Sequence, residues 1–255
     1  MDFAEELEGA WRNRIPIPPL SERGLEGLEA AYRVQLAWHQ RRLAAGDKSL
    51  GHKIGLTSKA VQAQLGVDQP DFGHLWASRF LGQGQRLEAP ASPFLQPRVE
   101  GELAFLIGKR IEGPHVTPQE VLAKTEALAF ALEVVDSRIA NWRIRIEDTV
   151  ADNASFGAFA LAPWEKALLE EDLATLGLMV VKNGRVEAQG LGAACLGHPA
   201  QAVAWLANAL APFGEALEPG EVVLSGAWAP VVPVGPGDLI HLLAPGGRSL
   251  VLRFT

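Results

Sequence analysis

The sequence predicts an α+β fold, on three observations. Strand-like runs outnumber helical ones over the C-terminal two-thirds of the chain. They do not alternate with helices at βαβ spacing, which disfavours a Rossmann sheet or an α/β barrel. An Asn183-Gly184 pair between two alternating runs signals a tight antiparallel hairpin.

Each element has its own cue. The opening MDFAEELEGAWRNR is acidic and mixed where a secretory leader would be basic and then apolar, and no run approaches the roughly 18 apolar residues of a membrane span. A cytoplasmic, unprocessed protein is therefore expected. The following IPIPPL is stiffened by proline and reads as an extended arm lying on something else. Leu25, Leu28, Tyr32, Leu36, His39 and Leu43 recur at spacings of three and four before Gly46, the pattern of an amphipathic helix whose polar face carries Glu29, Arg33, Gln40 and Arg41.

Gly51 to Ser58 is a short extended run, and Gly66-Val67-Asp68-Gln69-Pro70-Asp71-Phe72-Gly73 carries turn chemistry and reads as a loop. Thr117-Pro118-Gln119-Glu120 announces a second helix, with Thr as cap, Pro at the first position and Glu closing a capping box. A third helix runs from His198 to about residue 212. Strands are expected at Val99–Ile107, Leu132–Val135, Leu176–Val181, Arg185–Ala188, Val222–Leu224, Leu239–Leu243 and Leu250–Phe254. There is no internal repeat and no Ser/Gly linker, so residues 1–75 are read as a helical and extended segment and 76–255 as a β-rich region, together one folded unit.

Composition narrows the function classes. The 255 residues carry 23 Lys+Arg against 30 Asp+Glu, a net charge of −7, with no basic block longer than Arg41-Arg42. Nucleic acid and anionic membranes are poor partners for such a chain. An acidic substrate would need a local cation to overcome the protein's own field. The lone Cys195 allows no disulfide within the chain and points to a reducing compartment.

The most informative string is Arg98-Val99-Glu100-Gly101-Glu102-Leu103-Ala104-Phe105. In a strand, residues two apart share a face, so Glu100 and Glu102 project together. Such a pair is most often a solvated face. Here the strand is otherwise apolar, and a second apolar run, Ala131 to Asp136, carries Glu133 in its middle. Three buried carboxylates need water, basic partners or a hard cation, and with no His or Cys beside them Mg2+ suits better than Zn2+, with Mn2+ an alternative. A metal-free cluster paired with arginines is the competing reading. His39, His52, His74, His115, His198 and His241 show no HExxH pattern; His39 reads as a packed core histidine and His198 as a helix cap. Lys53, between Gly51 and Gly55, fits a charge partner for a substrate carboxylate, a proton carrier, or a plain surface lysine.

Several strings together carry a resemblance. Lys53 to Ser58, Gly66 to Gly73, Leu95 to Glu102, Glu133 to Arg138, Asp148 to Ser155, and Val222 to Gly226 followed by Pro230 are similar, in matching order, to the 2-hydroxypenta-2,4-dienoate hydratases of aromatic meta-cleavage pathways. These enzymes form part of the fumarylacetoacetate hydrolase superfamily. The resemblance implies a mixed β-sandwich or β-roll with peripheral helices, assembled as a homo-oligomer, with association with a sister pathway enzyme also conceivable. It places the acidic metal triad on Glu100, Glu102 and Glu133, the active-site lysine and aspartate on Lys53 and Asp71, and Ser155 and Ser225 near the substrate, with Mg2+ as cofactor. Arg98 is carried as a further substrate-binding residue, while Arg98, Arg138 and Arg143 are all available to meet a distal carboxylate.

The implied reaction adds water to 2-hydroxypenta-2,4-dienoate to give 4-hydroxy-2-oxopentanoate. Alternatives are a 4-oxalocrotonate decarboxylase, a 2-oxo-hept-4-ene-1,7-dioate hydratase and, in a different class, a non-catalytic assembly subunit. Two departures stand out. Gly101 replaces a common Ala on the face away from the ligands, and Phe156 replaces a common Cys, with an expected effect on pocket width.

Overall fold

The computed structural model describes residues 2–58, 62–63, 67–90 and 93–255. Gly66 of the loop string lies outside them. Two long antiparallel strands form the spine, β5 (Arg98–Ile107) and β6 (Thr125–Val135), in a register that sets Glu100 opposite Glu133 and Arg98 opposite Val135. On β5's partner side stands β10 (Val222–Leu224), then β1 (Ser49–Gly55), parallel to β10, and β2 (Asp71–Trp76) at the edge. On the β6 side come β7 (Phe156–Leu161) and β3 (Phe80–Gln83), while β11 (Val232–Pro233) pairs with the start of β5. This first sheet is mixed, and it joins strands from both halves of the chain.

The second sheet orders β4 (Arg86–Ala89), β13 (Arg248–Phe254), β12 (Leu239–Ala244), β8 (Gly177–Lys182) and β9 (Arg185–Leu191). The Asn183-Gly184 hairpin joins β8 to β9 with both residues left-handed (φ 50 and 83), as a primed turn requires. The odd-numbered face of β5, Val99, Leu103 and Phe105, belongs to the core shared with this second sheet. Gly101 lies on that face, where an added Cβ would stand 2.8 Å from Leu178 Cδ1 and 3.1 Å from Val180 Cγ2. The even-numbered face turns instead to α1 (Phe3–Asn13) and α2 (Leu28–Ala44), whose Leu7 and Trp38 share a cluster with Ala104 and Ala131. The molecule is thus helices on sheet on sheet, with the paired glutamates on the helix-covered side.

Several elements depart from the sequence expectations, each for a local reason. The acidic opening stretch, for which the sequence predicts no element, forms α1: Asp2 accepts from Glu5 N at its start, and Ala4, Leu7 and Ala10 bury one stripe. α2 begins at Leu28, after Gly27, and buries Ala31, Gln35, Trp38 and His39 rather than the leucine stripe. Gln35 can be buried because its amide donates to Phe72 O and Val150 O, and Trp38 Nε1 donates to Glu8. His39 behaves as a core histidine, its Nδ1 accepting from Trp76 Nε1. The IPIPPL arm lies on residues 138–140, through Ile17 N to Arg138 O and Ala140 N to Ile17 O.

The expected loop ends at Pro70, and Asp71 opens a fully buried strand because Phe72, Leu75 and Trp76 pair it to β1 and bury it. α3 (Pro118–Lys124) has its Thr117 cap, but Glu120 pairs with Lys124 instead of closing the capping box. α5 (Pro199–Leu210) is capped by His198, whose Nδ1 accepts from Ala200 N. β6 is longer than Leu132–Val135, and β7 had no cue: buried on both faces, neither alternates. Among the described residues no helix is long and apolar enough to cross a membrane.

Candidate active site

Glu100, Glu102 and Glu133 converge as the strand register dictates: one carboxylate oxygen from each lies within 4.8 Å of the other two. Glu102 and Glu133 are fully buried. Glu102 Oε2 accepts from Gly226 N at 2.8 Å, whereas Glu102 Oε1 and Glu133 Oε2 end without a hydrogen-bond partner among the described residues. Burial first, then mutual repulsion, hold Glu102 well above the usual carboxylate range; burial raises Glu133 to about 7 against the pull of Lys53. Three converging acids with bare oxygens, and no imidazole or thiolate among them, match a hard divalent cation.

Lys53 rises from β1 between the acids and the left-handed turn described below, with Nζ 3.3 Å from Glu133 Oε1 and donating to Ala154 O at 3.0 Å. Burial alone would lower its pKa, but Glu133, Glu100, Asp71 and Glu102 outweigh burial and keep the ammonium charged. Asp71, at the start of β2, pairs in register with Gly55. Any Cβ at Gly55 would meet Asp71 Oδ1 at 2.2 Å, so only glycine leaves room for that carboxylate beside Lys53. Burial pushes Asp71 up to about 6, opposed by the Lys53 charge.

A strained turn completes this wall. After α4 (Ile146–Ala151), Asn153, Ala154 and Ser155 all take left-handed φ of 54, 50 and 54, a conformation costing on the order of 1–3 kcal/mol per residue. The surroundings enforce it. The Asn153 side chain accepts from His74 N and donates to His74 O, and the buried Arg138 guanidinium donates to Asp152 O on one side of the turn and Phe156 O on the other. The turn aims the Ala154 carbonyl at Lys53 and brings Ser155 to the cavity.

These groups line one side of a cavity of about 500 Å3, whose walls include Lys53, Asp71, Glu100, Ser155, Thr57 and Arg98 together with the apolar Leu56, Val135, Trp142, Ile144 and Val231. A groove of about 630 Å3 on the second sheet, lined by Leu178, Met179, Leu191 and Leu243, holds no titratable side chain. The chemistry lies in the first.

The sequence candidates therefore separate. Lys53, Asp71, Glu100, Ser155 and Arg98 line the cavity, and Glu102 and Glu133 stand in the cluster with Glu100. Ser225 is fully buried beside the Cys195 thiol and is not among the lining residues. Of the three arginines considered for a distal carboxylate, Arg138 is consumed by Asp152 and the turn, and Arg143 pairs with Glu22 at the surface; Arg98 alone reaches the cavity. Phe156 does not set pocket width: its ring packs edge-on to Trp76, centroids 6.0 Å apart, in the helix-side core. Trp142 and Ile144 were missed. Their signal was apolar residues alternating with arginines in Asn141-Trp142-Arg143-Ile144-Arg145-Ile146.

Comparison with known proteins gives the family and the fold. The family described as fumarylacetoacetate (FAA) hydrolase C-terminal matches residues 42–252. A 2-hydroxypent-2,4-dienoate hydratase of Pseudomonas putida is 47% identical over 214 residues, covering 84% of this chain and 96% of the relative. A 2-hydroxyhexa-2,4-dienoate hydratase of Comamonas testosteroni is 44% identical over 252 residues, covering 98% and 96%. Among solved structures, 4-oxalocrotonate decarboxylase from Pseudomonas putida G7, complexed with magnesium and adipate, superposes with a TM-score of 0.93 at 36% identity, covering 99% of this chain and 95% of that one.

Proposed function

The chain belongs to the fumarylacetoacetate hydrolase C-terminal family, and from that premise we propose that it is a hydro-lyase adding water to 2-hydroxypenta-2,4-dienoate to give 4-hydroxy-2-oxopentanoate. The observation that carries this reading is the convergence of Glu100, Glu102 and Glu133 within 4.8 Å beside a buried, charged Lys53 and an Asp71 poised near neutrality. The hydratase relatives, at 44% and 47% identity, support the choice of reaction.

A hard divalent cation, Mg2+ by this reading, would be held by the three glutamates and would supply Lewis-acid stabilisation of the substrate's enolate charge. The rest falls to side chains of this protein. Conversion of the dienol to the conjugated 2-oxo-3-enoate places a proton on C5; addition of water then places hydroxyl on C4 and a proton on C3. Lys53 keeps its proton and so offers positive charge and a donor to the oxygen end of the substrate. Asp71, raised to about 6, changes protonation at little cost near neutral pH and is the group suited to give and take the protons. The apolar walls, Leu56, Val135, Ile144 and Val231, hold the hydrocarbon chain and limit bulk water.

The decarboxylase relative, with its TM-score of 0.93, supports one second reading, loss of CO2 from 2-oxo-3-hexenedioate on the same residues. Product analysis with each substrate, with Mg2+ and with chelator, separates them: 4-hydroxy-2-oxopentanoate formed only with metal is expected, and CO2 release from the diacid alone would replace the hydratase. Glu100→Gln is expected to abolish metal-dependent turnover in a folded protein. Lys53→Ala should lower kcat with metal still bound; an unfolded Lys53→Ala would make the lysine structural. Self-association belongs to the same reading, supported by the exposed Met179 and Leu191 beside the second-sheet groove, and light scattering tests it.

A further inference from the structure

The cavity contains one cation that the proposed chemistry leaves without a role. Arg98 opens β5 on the same face as Glu100 and Glu102, half-buried and one pleat, about 7 Å, from Glu100. Among the described residues no carboxylate, carbonyl or hydroxyl accepts a hydrogen bond from its guanidinium. Its charge acts on the Glu100 carboxylate, and its guanidinium lies over Trp142, whose ring centre is 4.4 Å from Cζ.

Trp142 is itself fixed: Nε1 donates to Gln96 O at 3.1 Å, the Gln96 amide donates to Ser137 O and Ile139 O, and Asn141 and Trp142 both hold left-handed φ of 58 and 54. A guanidinium lying over an aromatic face keeps its N–H edge free, and that edge matches a planar carboxylate bidentately. Lys53 and Asp71 stand two and three strands away from β5 in the sheet order. A substrate whose acid group meets Arg98 therefore lays its 2-oxygen over the glutamates and its carbon chain toward Lys53 and Asp71.

Building on the hydratase reading, we propose that Arg98, held over the Trp142 ring, anchors the C1 carboxylate of a 2-oxo acid, so that this pair selects 2-oxo acids over simple ketones and sets which end of the substrate faces Asp71. Trp142 is a positioning residue acting through Arg98.

The test is calorimetric binding to the magnesium-loaded protein of two probes that cannot be hydrated, 2-oxopentanoate and 2-oxoadipate, the latter with a second carboxylate at its far end. Arg98→Gln should weaken both by the same factor, about tenfold to hundredfold for a charge-assisted pair, with melting temperature unchanged and magnesium affinity not weakened, since a charge like the metal's is removed from beside Glu100. Trp142→Leu should weaken both by about threefold to thirtyfold and Trp142→Phe should recover most of the loss. In turnover, Arg98→Gln should raise KM far more than it lowers kcat. Loss confined to 2-oxoadipate would place Arg98 at the far carboxylate and overturn the proposal, as would undiminished binding of 2-oxopentanoate. Arg98-dependent binding of 2-oxopentanoate supports the anchor even in a protein that hydrates no dienoate, so the two readings fail separately.

Discussion

Two clusters of buried charge meet at the Asn153 to Ser155 turn, and they are built on opposite principles. In one, Arg138, Asp152, Asp136 and Asp148 are all satisfied: Arg138 donates to Asp152 and two carbonyls, Asp136 accepts from Leu95 N and Gln96 N, and Asp148 accepts from Ser21 and Arg145 N. In the other, Glu102, Glu133, Asp71 and Ser155 retain buried polar atoms without hydrogen-bond partners among the described residues, around a single lysine. Both are equally buried and both come from strings rich in Asp, Glu and Arg. The complete cluster holds a strained backbone in place; the incomplete one leaves acceptor oxygens open beside the cavity. Buried charge alone does not mark a site; here the buried carboxylates left without hydrogen-bond partners gather at the cavity.

The sharpest way to break this contrast is one substitution in each cluster. Glu102→Gln should cost activity on the order of a thousandfold, the loss of several kcal/mol of Lewis-acid stabilisation, while the melting temperature stays level or rises because like-charge repulsion is relieved and the Gln carbonyl can still accept from Gly226 N. A large drop in melting temperature would show that the triad is structural. Arg138→Leu should do the reverse, destabilising by about 3–5 kcal/mol because Asp152 is left buried and unpaired. Denaturant unfolding measures it, and a cost below about 1 kcal/mol would mean that the turn does not depend on the clamp.

A third buried group, neutral rather than charged, sharpens the comparison by pH. His39 and His74 stack at 3.8 Å and His52 lies 5.2 Å from His74, all between α2, β1 and β2. Burial lowers His39 and His52 to about 4 and holds His74 well below the ordinary imidazole range. The folded state thus binds fewer protons than the unfolded chain, whose histidines titrate near 6.5. This contribution to stability is complete above about pH 6.5 and is lost as pH falls toward 4. The raised carboxylates Asp71, Glu133 and Asp152 act in the opposite sense over the same range, so the histidine contribution is read as a difference: from pH 7 to pH 5 the wild type should lose melting temperature relative to His39→Gln, and a difference that does not change with pH would refute the linkage. The smallest effect is expected at Gly101→Ala, within about 1 kcal/mol either way, because the new methyl meets side-chain ends, the movable Leu178 and the Val180 methyl, which must give by a few tenths of an ångström, while a strand glycine is replaced. Turnover should not change, since the residue faces the second sheet.

Much of the site was legible in the chain because a strand has period two. Glu100-x-Glu102 and the lone Glu133 in an apolar run needed only a register to meet, and the Asn183-Gly184 turn and the Thr117 and His198 caps were readable from local chemistry. The buried strands were less legible. β2 and β7 lack alternation because both faces are covered, and Asp71 opens a strand where turn residues predicted a loop. Phe156 and Arg138 were misplaced for a related reason: sequence shows that a residue neighbours the site string, not which way its side chain points.

By itself, then, the sequence determined which chemistry was available: three carboxylates and one lysine on apolar strands, where the energetic cost of burial demands a purpose. Only the tertiary structure decided which charges were spent on the fold. Arg138 and Asp152 are 14 residues apart and satisfy each other; Arg98 and Trp142 are 44 positions apart and leave a guanidinium edge open. Whether a buried polar atom finds a partner depends on distance and direction in space, which chain order does not carry.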